Sequence, residues 1–212
     1  MRTPRALGLG LIVAVPLLAG CGSSGGAGSA ASVVHPATFP SGKPADIAPQ
    51  QAVLRQTDVD TTWVVVPQKS GPSSFAEVSK GDLPALRAFE RKSFRGAYST
   101  LFANAQQEVF LSLAASFAKP ADAQHVAKGW SAMVPQSLHH SVRLPAPAGS
   151  PDQFAWWKGT FDIKGTETPA VVAQWVSGKL VIGVSMVGAS ASPKRVGQFV
   201  QLQNAKILGA AR

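Results

Sequence analysis

Residues 171–187 read VVAQWVSGKLVIGVSMV, two runs of mostly apolar residues on either side of the pair Ser177-Gly178. Runs of this length that are rich in β-branched residues and separated by turn-forming residues predict a β-hairpin. This hairpin is the clearest structural signal in the chain, so the other elements are placed around it.

Alternating apolar residues predict further strands before the hairpin. The alternation is clear in residues 109–117 and 154–163, and residues 63–66 form a brief apolar run. Residues 94–102 alternate in the same way, although they could also continue a preceding helix. Residues 68–80 are polar and are expected to form a loop.

Four helices are predicted from capping residues and from apolar residues at steps of three and four. Asp82 and Ser192 are typical capping residues, and Pro84 and Pro193 suit a first helical turn. The helices are expected over residues 47–57, 83–92 and 120–135 and from residue 193 towards the end of the chain.

The order of these elements predicts an α+β domain, with an antiparallel sheet of about five or six strands and helices packed on one face. No internal repeat at a fixed period interrupts this pattern. The single domain is expected to span residues 50–212, after a signal peptide over residues 1–20 and a tether over residues 21–49.

The first residues have the pattern of a bacterial export signal. Two arginines precede an apolar stretch, residues 6–18, that is too short to span a bilayer. The stretch leads into Leu18-Ala19-Gly20-Cys21, which resembles the lipobox of bacterial lipoproteins, an aliphatic residue and two small residues before Cys. The resemblance implies cleavage before Cys21, acylation of its sulfur by chains such as palmitate, and a lipid anchor in the cell membrane. The alternative is an ordinary cleaved signal that leaves Cys21 as a free thiol.

The segment after Cys21 has the composition of a tether. Residues 22–32 read GSSGGAGSAAS, and residues 33–49 are rich in Pro and Ala. Gly and Ser offer little surface to bury and lose much entropy on ordering, so a flexible spacer is predicted between the lipid and the domain.

The domain also resembles known families through motifs spread along its length. Residues 52–58 read AVLRQTD and are soon followed by Trp63, like the opening of many secreted bacterial lipoproteins of unknown function. The strings RGAY at residues 95–98 and KPADA at residues 119–123 fit the same pattern. The element order is similar to that of PsbP-like lipoproteins and of extracytoplasmic sensor domains of actinobacterial Ser/Thr kinases. The disulfides of those sensor domains cannot form in a chain with one Cys, and the resemblance implies no catalytic residues.

The sequence lacks the motifs typical of an enzyme, so no catalytic residue, cofactor or metal is predicted. The nearest approach to a nucleophile elbow, GVSMVG at residues 183–188, is one residue too long and lies inside a predicted strand. His139-His140, together with Asp152, is the best candidate for metal or acid–base chemistry. Adjacent residues on a strand point to opposite faces, so a solvated pair of imidazoles in a loop is the preferred interpretation.

Trp156 and Trp157 are candidate ligand-binding residues. Adjacent side chains of a strand project to opposite faces, so one indole is expected in the core and the other partly exposed. An exposed indole can stack on a sugar or insert among acyl chains. The alternative is that it packs beneath a loop or at an edge of the sheet.

The chain is basic, with 20 Lys and Arg against 11 Asp and Glu and a formal net charge of +9. Lys194, Arg195 and Lys206 lie on the predicted last helix and are candidates for attracting anionic lipid headgroups. A second cluster of cations follows Asp82: Arg87, Arg91, Lys92 and Arg95. The alternative is that the charge serves solubility alone. Nucleic acid is not expected as the partner of an exported protein.

These patterns favour a membrane-anchored, extracytoplasmic lipoprotein that acts as a ligand-binding or sensing module of the cell envelope. Its expected partners are the membrane, through the N-terminal lipid, and a small hydrophobic or amphiphilic ligand or an envelope protein. The alternatives are a structural or assembly lipoprotein that docks envelope partners, and a hydrolase acting on envelope material.

Replacing Cys21 by Ala is expected to leave the precursor without a lipid, because the acyl chains need the Cys21 sulfur. The variant should move from the detergent phase to the aqueous phase in a phase-partition experiment, whereas the wild-type chain stays with the detergent. Mass spectrometry of the wild-type protein should show a lipidated N-terminus at Cys21. A mature chain that begins elsewhere, or that carries no lipid, would contradict the interpretation.

Overall fold

The computed structural model describes Gly42 and residues 46–80, 82–151 and 153–209. The predicted signal peptide, Cys21 and most of the predicted tether lie outside these residues, and so does Asp152. Within the described ranges, every helix is too short or too polar to cross a lipid bilayer.

Within the described residues, eight antiparallel strands form one sheet. They are β1 (Val64–Val65), β2 (Gly71–Ser73), β3 (Phe94–Ala103), β4 (Val109–Phe117), β5 (His139–Leu144), β6 (Ala155–Ile163), β7 (Thr166–Ser177) and β8 (Leu180–Val187). Their order across the sheet is β1-β3-β4-β8-β7-β6-β5, and β2 pairs with β3 beside β1. The predicted hairpin, β7 and β8, therefore occupies the middle of the sheet.

In the described part of the chain, five α-helices connect or cover the strands. They are α1 (Pro49–Ala52), α2 (Phe75–Val78), α3 (Pro84–Ser93), α4 (Pro120–Ser137) and α5 (Pro193–Ile207). The last helix begins as predicted, because Ser192 Oγ accepts a hydrogen bond from the backbone N–H of Arg195. The first is much shorter than residues 47–57, and its sequence continues as an extended segment and a 3-10 turn at Gln56–Asp58.

The α+β class and the antiparallel sheet are confirmed, but the sheet has more strands than expected and helices cover both of its faces. Val172 and Val176 of β7 pack in one core, with α4, whereas Val171 and Trp175 pack in a second core, with α1 and α5. Because nearly every side chain of this hairpin is apolar, each face needs its own cover. The expectation of helices on one face was wrong for this reason.

Strands β2 and β5 were not predicted, because neither has an alternation of large apolar residues. The sequence of β2 is GPS, and β5 reads HHSVRL and is mostly exposed. Both lie outside the central strands and depend on their neighbours: β2 pairs with β3, and β5 pairs with β6 around a bulge. Helix α4 also continues two residues beyond Pro135, where it was expected to end.

Ser112 ties the core between the sheet and α5 together through its hydroxyl group. Ser112 Oγ accepts a hydrogen bond from the backbone N–H of Leu54 at 3.0 Å and donates to Gln203 Oε1 at 2.9 Å. All three residues are fully buried. One hydroxyl therefore joins the segment after α1, strand β4 and helix α5.

Gln174 has the corresponding role on the other face. Its Nε2 donates to the backbone carbonyl of Ala127 and to Ser131 Oγ, both at 2.7 Å, and so fastens α4 to β7. Each helical layer is thus positioned by a buried polar side chain as well as by apolar packing, since such a side chain must find its partner in one register.

Replacing Ser112 by Ala is expected to lower the free energy of unfolding by about 2–3 kcal/mol, because it removes the acceptor of the Leu54 N–H and the donor to Gln203 Oε1. Urea titration followed by tryptophan fluorescence would measure the loss. Ser116 is the matched control: it is half-buried on the same strand and makes no side-chain hydrogen bond in the described part of the chain. Ser116→Ala should change stability by less than about 0.5 kcal/mol. Equal losses in the two variants would contradict the role of Ser112.

Candidate functional site

The two candidate tryptophans of β6 face opposite sides of the sheet, as predicted, but both are buried. Trp156 belongs to the core beneath α5 and Trp157 to the core beneath α4, with exposed fractions of 9 % and 2 %. Trp156 Nε1 donates to the carbonyl of Pro145 at 2.8 Å, and Arg143 lies over the Trp157 ring. The expectation of a partly exposed indole was wrong, because helices cover both faces and leave neither ring open to a ligand.

The three cations of the last helix do not form an exposed patch. Lys194 is exposed, but Lys206 is mostly buried and forms an ion pair with Asp58. Arg195 is partly buried and turns towards Glu108. Two of the three charges therefore serve contacts within the domain, and Arg195 leads to an open depression of the surface.

That depression is an open groove of about 1090 Å³ at one end of the sheet. Its walls are β1, the turn between β3 and β4, and the loop that leads from β8 into α5. One wall is apolar: Val64 is 61 % exposed, an unusual position for a large aliphatic side chain, and Val65 and Ala103 lie beside it. The other side contains the guanidinium of Arg195 with Asn104 and Ser190.

Arg195 is held in place from two directions. Its guanidinium lies 5.4 Å from the centre of the buried Trp63 ring, and its Nη1 lies 3.6 Å from Glu108 Oε2 and donates to Ser190 Oγ. Trp63 is itself fixed edge-on against Phe110. The cation is therefore oriented by an aromatic face and a carboxylate, while its side chain keeps a third of its exposure.

Glu108 is charged although it is only 4 % exposed. Burial opposes its ionisation, but hydrogen bonds from Ser190 and Asn104 and the charge of Arg195 outweigh burial and lower the pKa of Glu108. The backbone N–H of Ser190 donates to Oε1 at 2.6 Å, and Asn104 Nδ2 donates to Oε2 at 2.8 Å. This carboxylate thus joins the loops on the two sides of the groove.

Gly188 allows Glu108 to sit there. Its φ is 148°, and a Cβ at this position would lie 2.6 Å from both Cβ and Cγ of Glu108. A side chain would therefore be strained and would also push the carboxylate away from Ser190 and Arg195.

His139 and His140 meet at one carboxylate. His139 Nδ1 and His140 Nε2 each lie 3.5 Å from Glu167 Oε1, although the two residues are adjacent on β5. Adjacent residues on a regular strand would point to opposite faces. The bulge after His139, where His140 has a φ of 50°, breaks this alternation, so both rings reach Glu167. All three side chains are at least half exposed, and no cluster in the described ranges is suited to hold a metal ion.

A pair of buried acids lies between α3 and α4. Trp130 Nε1 donates to Glu90 Oε1 at 2.8 Å and to Asp82 Oδ2 at 3.3 Å, and both carboxyls are almost fully buried. Asp82 was predicted to cap α3, and this prediction was wrong. Leu83 occupies the N-cap position, without a hydrogen bond to a capping side chain. Helix α3 is instead attached to α4 through Glu90, which points inward and accepts the hydrogen bond from Trp130.

Two carboxylates so close together and so deeply buried cannot both be charged. Burial, a hydrogen bond with Asp82 and the Asp82 charge raise the pKa of Glu90 to about 8, and burial raises the pKa of Asp82. Glu90 Oε2 accepts no hydrogen bond from an N–H or hydroxyl in the described residues, which makes it the oxygen able to carry the shared proton. At neutral pH the pair therefore holds one proton and carries a single negative charge.

Arg195 was predicted from the sequence as a surface charge for lipid headgroups, and its partners in the groove were not predicted. Val64, Glu108 and Ser190 come from three distant segments, and no spacing in the sequence indicates that they meet. Glu108 directly precedes the long apolar strand over residues 109–117. This is the one local feature of the sequence that could have predicted a buried carboxylate with partners, because such a strand offers the acid no solvated position.

Stability is expected to fall as the pH rises from 5 to about 8, because the folded state keeps a proton on Glu90 that the unfolded state has released. The slope of the free energy of unfolding against pH approaches about 1.4 kcal/mol per unit for one proton. Glu90→Gln, which mimics the protonated acid, should remove this part of the slope, whereas Asp122→Asn, at a half-buried carboxyl, should retain it. Urea titrations at several pH values would measure it, and an unchanged slope in Glu90→Gln would contradict the shared proton.

The chain has structural neighbours among solved proteins. No protein-family model matches the chain, and no curated protein matches it by sequence. Among solved structures, the chain is similar to the extracellular domain of PknH from Mycobacterium tuberculosis, with 11 % identity and a TM-score of 0.48. The similarity covers 79 % of this chain and 98 % of that domain. At this identity and TM-score, no function is transferred from that domain to this chain.

Proposed function

We propose that this chain is an exported, lipid-anchored binding module of the cell envelope whose groove takes an amphiphilic ligand with an anionic head group. The lipobox ending at Cys21 supports the anchor and the extracytoplasmic location. The observation that carries the binding role is the position of Arg195 beside the exposed Val64 in one open groove.

Arg195 is suited to an anionic head group because part of its guanidinium is unused. Nη1 contacts Glu108 and Ser190, whereas Nε and Nη2 make no hydrogen bond within the described residues. A guanidinium offers donors in a planar fork that matches a carboxylate or a phosphate. Because Trp63 and Glu108 already orient the group, little side-chain entropy is lost when an anion binds.

The apolar wall suits the body of the ligand. Val64 leaves most of its side chain in water, and Val65 and Val66 continue the same wall. Covering an exposed aliphatic side chain contributes on the order of 1 kcal/mol, so several such contacts are needed for useful affinity. An alkyl chain lying along β1 would make them while its head group meets Arg195.

The same lining supports a binding role rather than catalysis. It contains Thr, Asn, Gln, Ser, Glu and Arg side chains among apolar ones, and no His, Cys or Lys in the described part of the chain. Glu108 is charged but is fully engaged with Ser190, Asn104 and Arg195. We therefore assign no chemical step to the groove.

The proposal is tested with lysophosphatidylglycerol, below its micelle concentration, as the probe. Isothermal titration calorimetry should show that Arg195→Gln weakens binding about tenfold to a hundredfold, the usual effect of losing a hydrogen bond to a charged group. Lys194→Gln is the matched control, because Lys194 is an exposed neighbour that does not line the groove. A neutral monoacylglycerol should bind more weakly than the anionic probe.

Failure of the wild-type chain to bind, or equal losses in Arg195→Gln and Lys194→Gln, would overturn the assignment of the groove. Melting curves of both variants distinguish lost binding from lost folding. Native mass spectrometry of protein released from its own host would then show whether a lipid-like ligand is carried.

A further inference from the structure

Cations at the end of α3, at the start of β3 and directly before α4 form an exposed surface. We call it the basic end and define it by four exposed side chains: Arg91, Lys92, Arg95 and Lys119. None of them lies within 4.0 Å of a carboxylate in the described residues. Glu90, the one acid of α3, points inward and accepts a hydrogen bond from Trp130 rather than contacting these cations.

The contacts of these cations leave their charged groups exposed to solvent. The guanidinium of Arg95 donates to the carbonyls of Lys92 and Phe94, and Arg91 lies over the Phe75 ring. These neutral partners orient the side chains without neutralising them. The surface differs in this respect from Arg195 and Lys206, which meet carboxylates of the same domain.

The basic end lies at the end of the sheet where the domain begins. The last residue of α3, Ser93, accepts a hydrogen bond from the backbone N–H of Ala118, next to Lys119. Asp46, at the start of the domain, lines a small depression of about 180 Å³ together with Pro120 and Lys179. The described range that follows the predicted tether therefore starts, at Asp46, close to the beginning of α4.

Acidic groups at this end are few. Asp46 is exposed and lies 4.0 Å from Lys179 Nζ, and Asp122 is in the first turn of α4. Glu77, exposed on α2 two residues after the Phe75 that Arg91 covers, is a third acid here. With Lys179, five cations face these three carboxylates. The local charge is thus positive over a surface that spans α3, the start of α4 and the turn between β7 and β8.

We propose that the basic end docks the domain onto an anionic lipid bilayer. The inference rests on the proposed lipid anchor, because an anchor near this end holds the four cations close to the headgroups at high local concentration. Each charge at an anionic surface strengthens partition by about fivefold. In the docked orientation the groove, at the opposite end of β3 and β4, faces away from the membrane.

The test uses the chain from residue 21 onward with Cys21→Ser, so that no acyl chain or signal segment contributes. All described core residues are retained in this chain. Co-sedimentation measures binding to vesicles of phosphatidylcholine with phosphatidylglycerol, and to vesicles of phosphatidylcholine alone. The basic-end variant replaces all four residues: Arg91→Gln, Lys92→Gln, Arg95→Gln and Lys119→Gln.

The matched control removes four exposed charges elsewhere: Lys69→Gln, Lys158→Gln, Lys164→Gln and Lys194→Gln. We expect the unmodified chain to bind the anionic vesicles alone, with an affinity that falls as salt shortens the screening length from about 10 Å to about 3 Å. The basic-end variant should lose at least about tenfold in partition, and the control should lose far less. Both variants should melt near the wild-type temperature, because the replaced side chains are exposed.

Absent binding, equal losses in the two variants, or insensitivity to salt would overturn the docking surface. Equal binding to soluble polyphosphate would assign the charge to a free polyanion and would also overturn it. These outcomes are separable from the groove, because Arg195→Gln should bind vesicles like the wild type while losing lysophosphatidylglycerol. Conversely, the basic-end variant should still bind that probe.

Discussion

The central constraint on this fold is that strands β4, β8 and β7 are buried on both faces. Side chains of such strands must be apolar or must find partners inside the protein, because water cannot reach them. Ser112 and the side-chain amide nitrogen of Gln174 find such partners, one on each face, by hydrogen bonding to the segments that cover them. Helices α4 and α5 are therefore positioned by the same residues that would otherwise destabilise the sheet.

The sequence predicted the elements whose signal is local and missed those that depend on neighbours. The hairpin and the Ser192 cap follow from turn and capping chemistry within a few residues. Strand β5 exists because β6 offers it a free edge, and Asp82 turns inward because Trp130, far along the chain, supplies its donor. The continuous apolar rows of β7 and β8 did carry the information that both faces are covered, but the prediction of one covered face did not use it.

The candidate site was less predictable than the fold for the same reason. Trp156 and Trp157 attracted attention because aromatic side chains bind ligands, yet the second helical layer buries the indole that was expected to be exposed. The groove instead depends on Arg195, whose partner Glu108 lies beyond a turn between other strands. Only the antiparallel pairing of β4 with β8, which brings Val109 opposite Val187, places the loops that carry these residues side by side.

The two outer strands of the sheet give the domain a further property. At one edge β1 is only two residues long, and at the other β5 is broken by a bulge at which His140 adopts a left-handed conformation. A long, flat edge with free N–H and C=O groups would recruit a strand from a neighbouring molecule. Both edges of this sheet are too short or too irregular to act as such a template. Copies crowded together on a surface could therefore stand side by side without aggregating through their sheets.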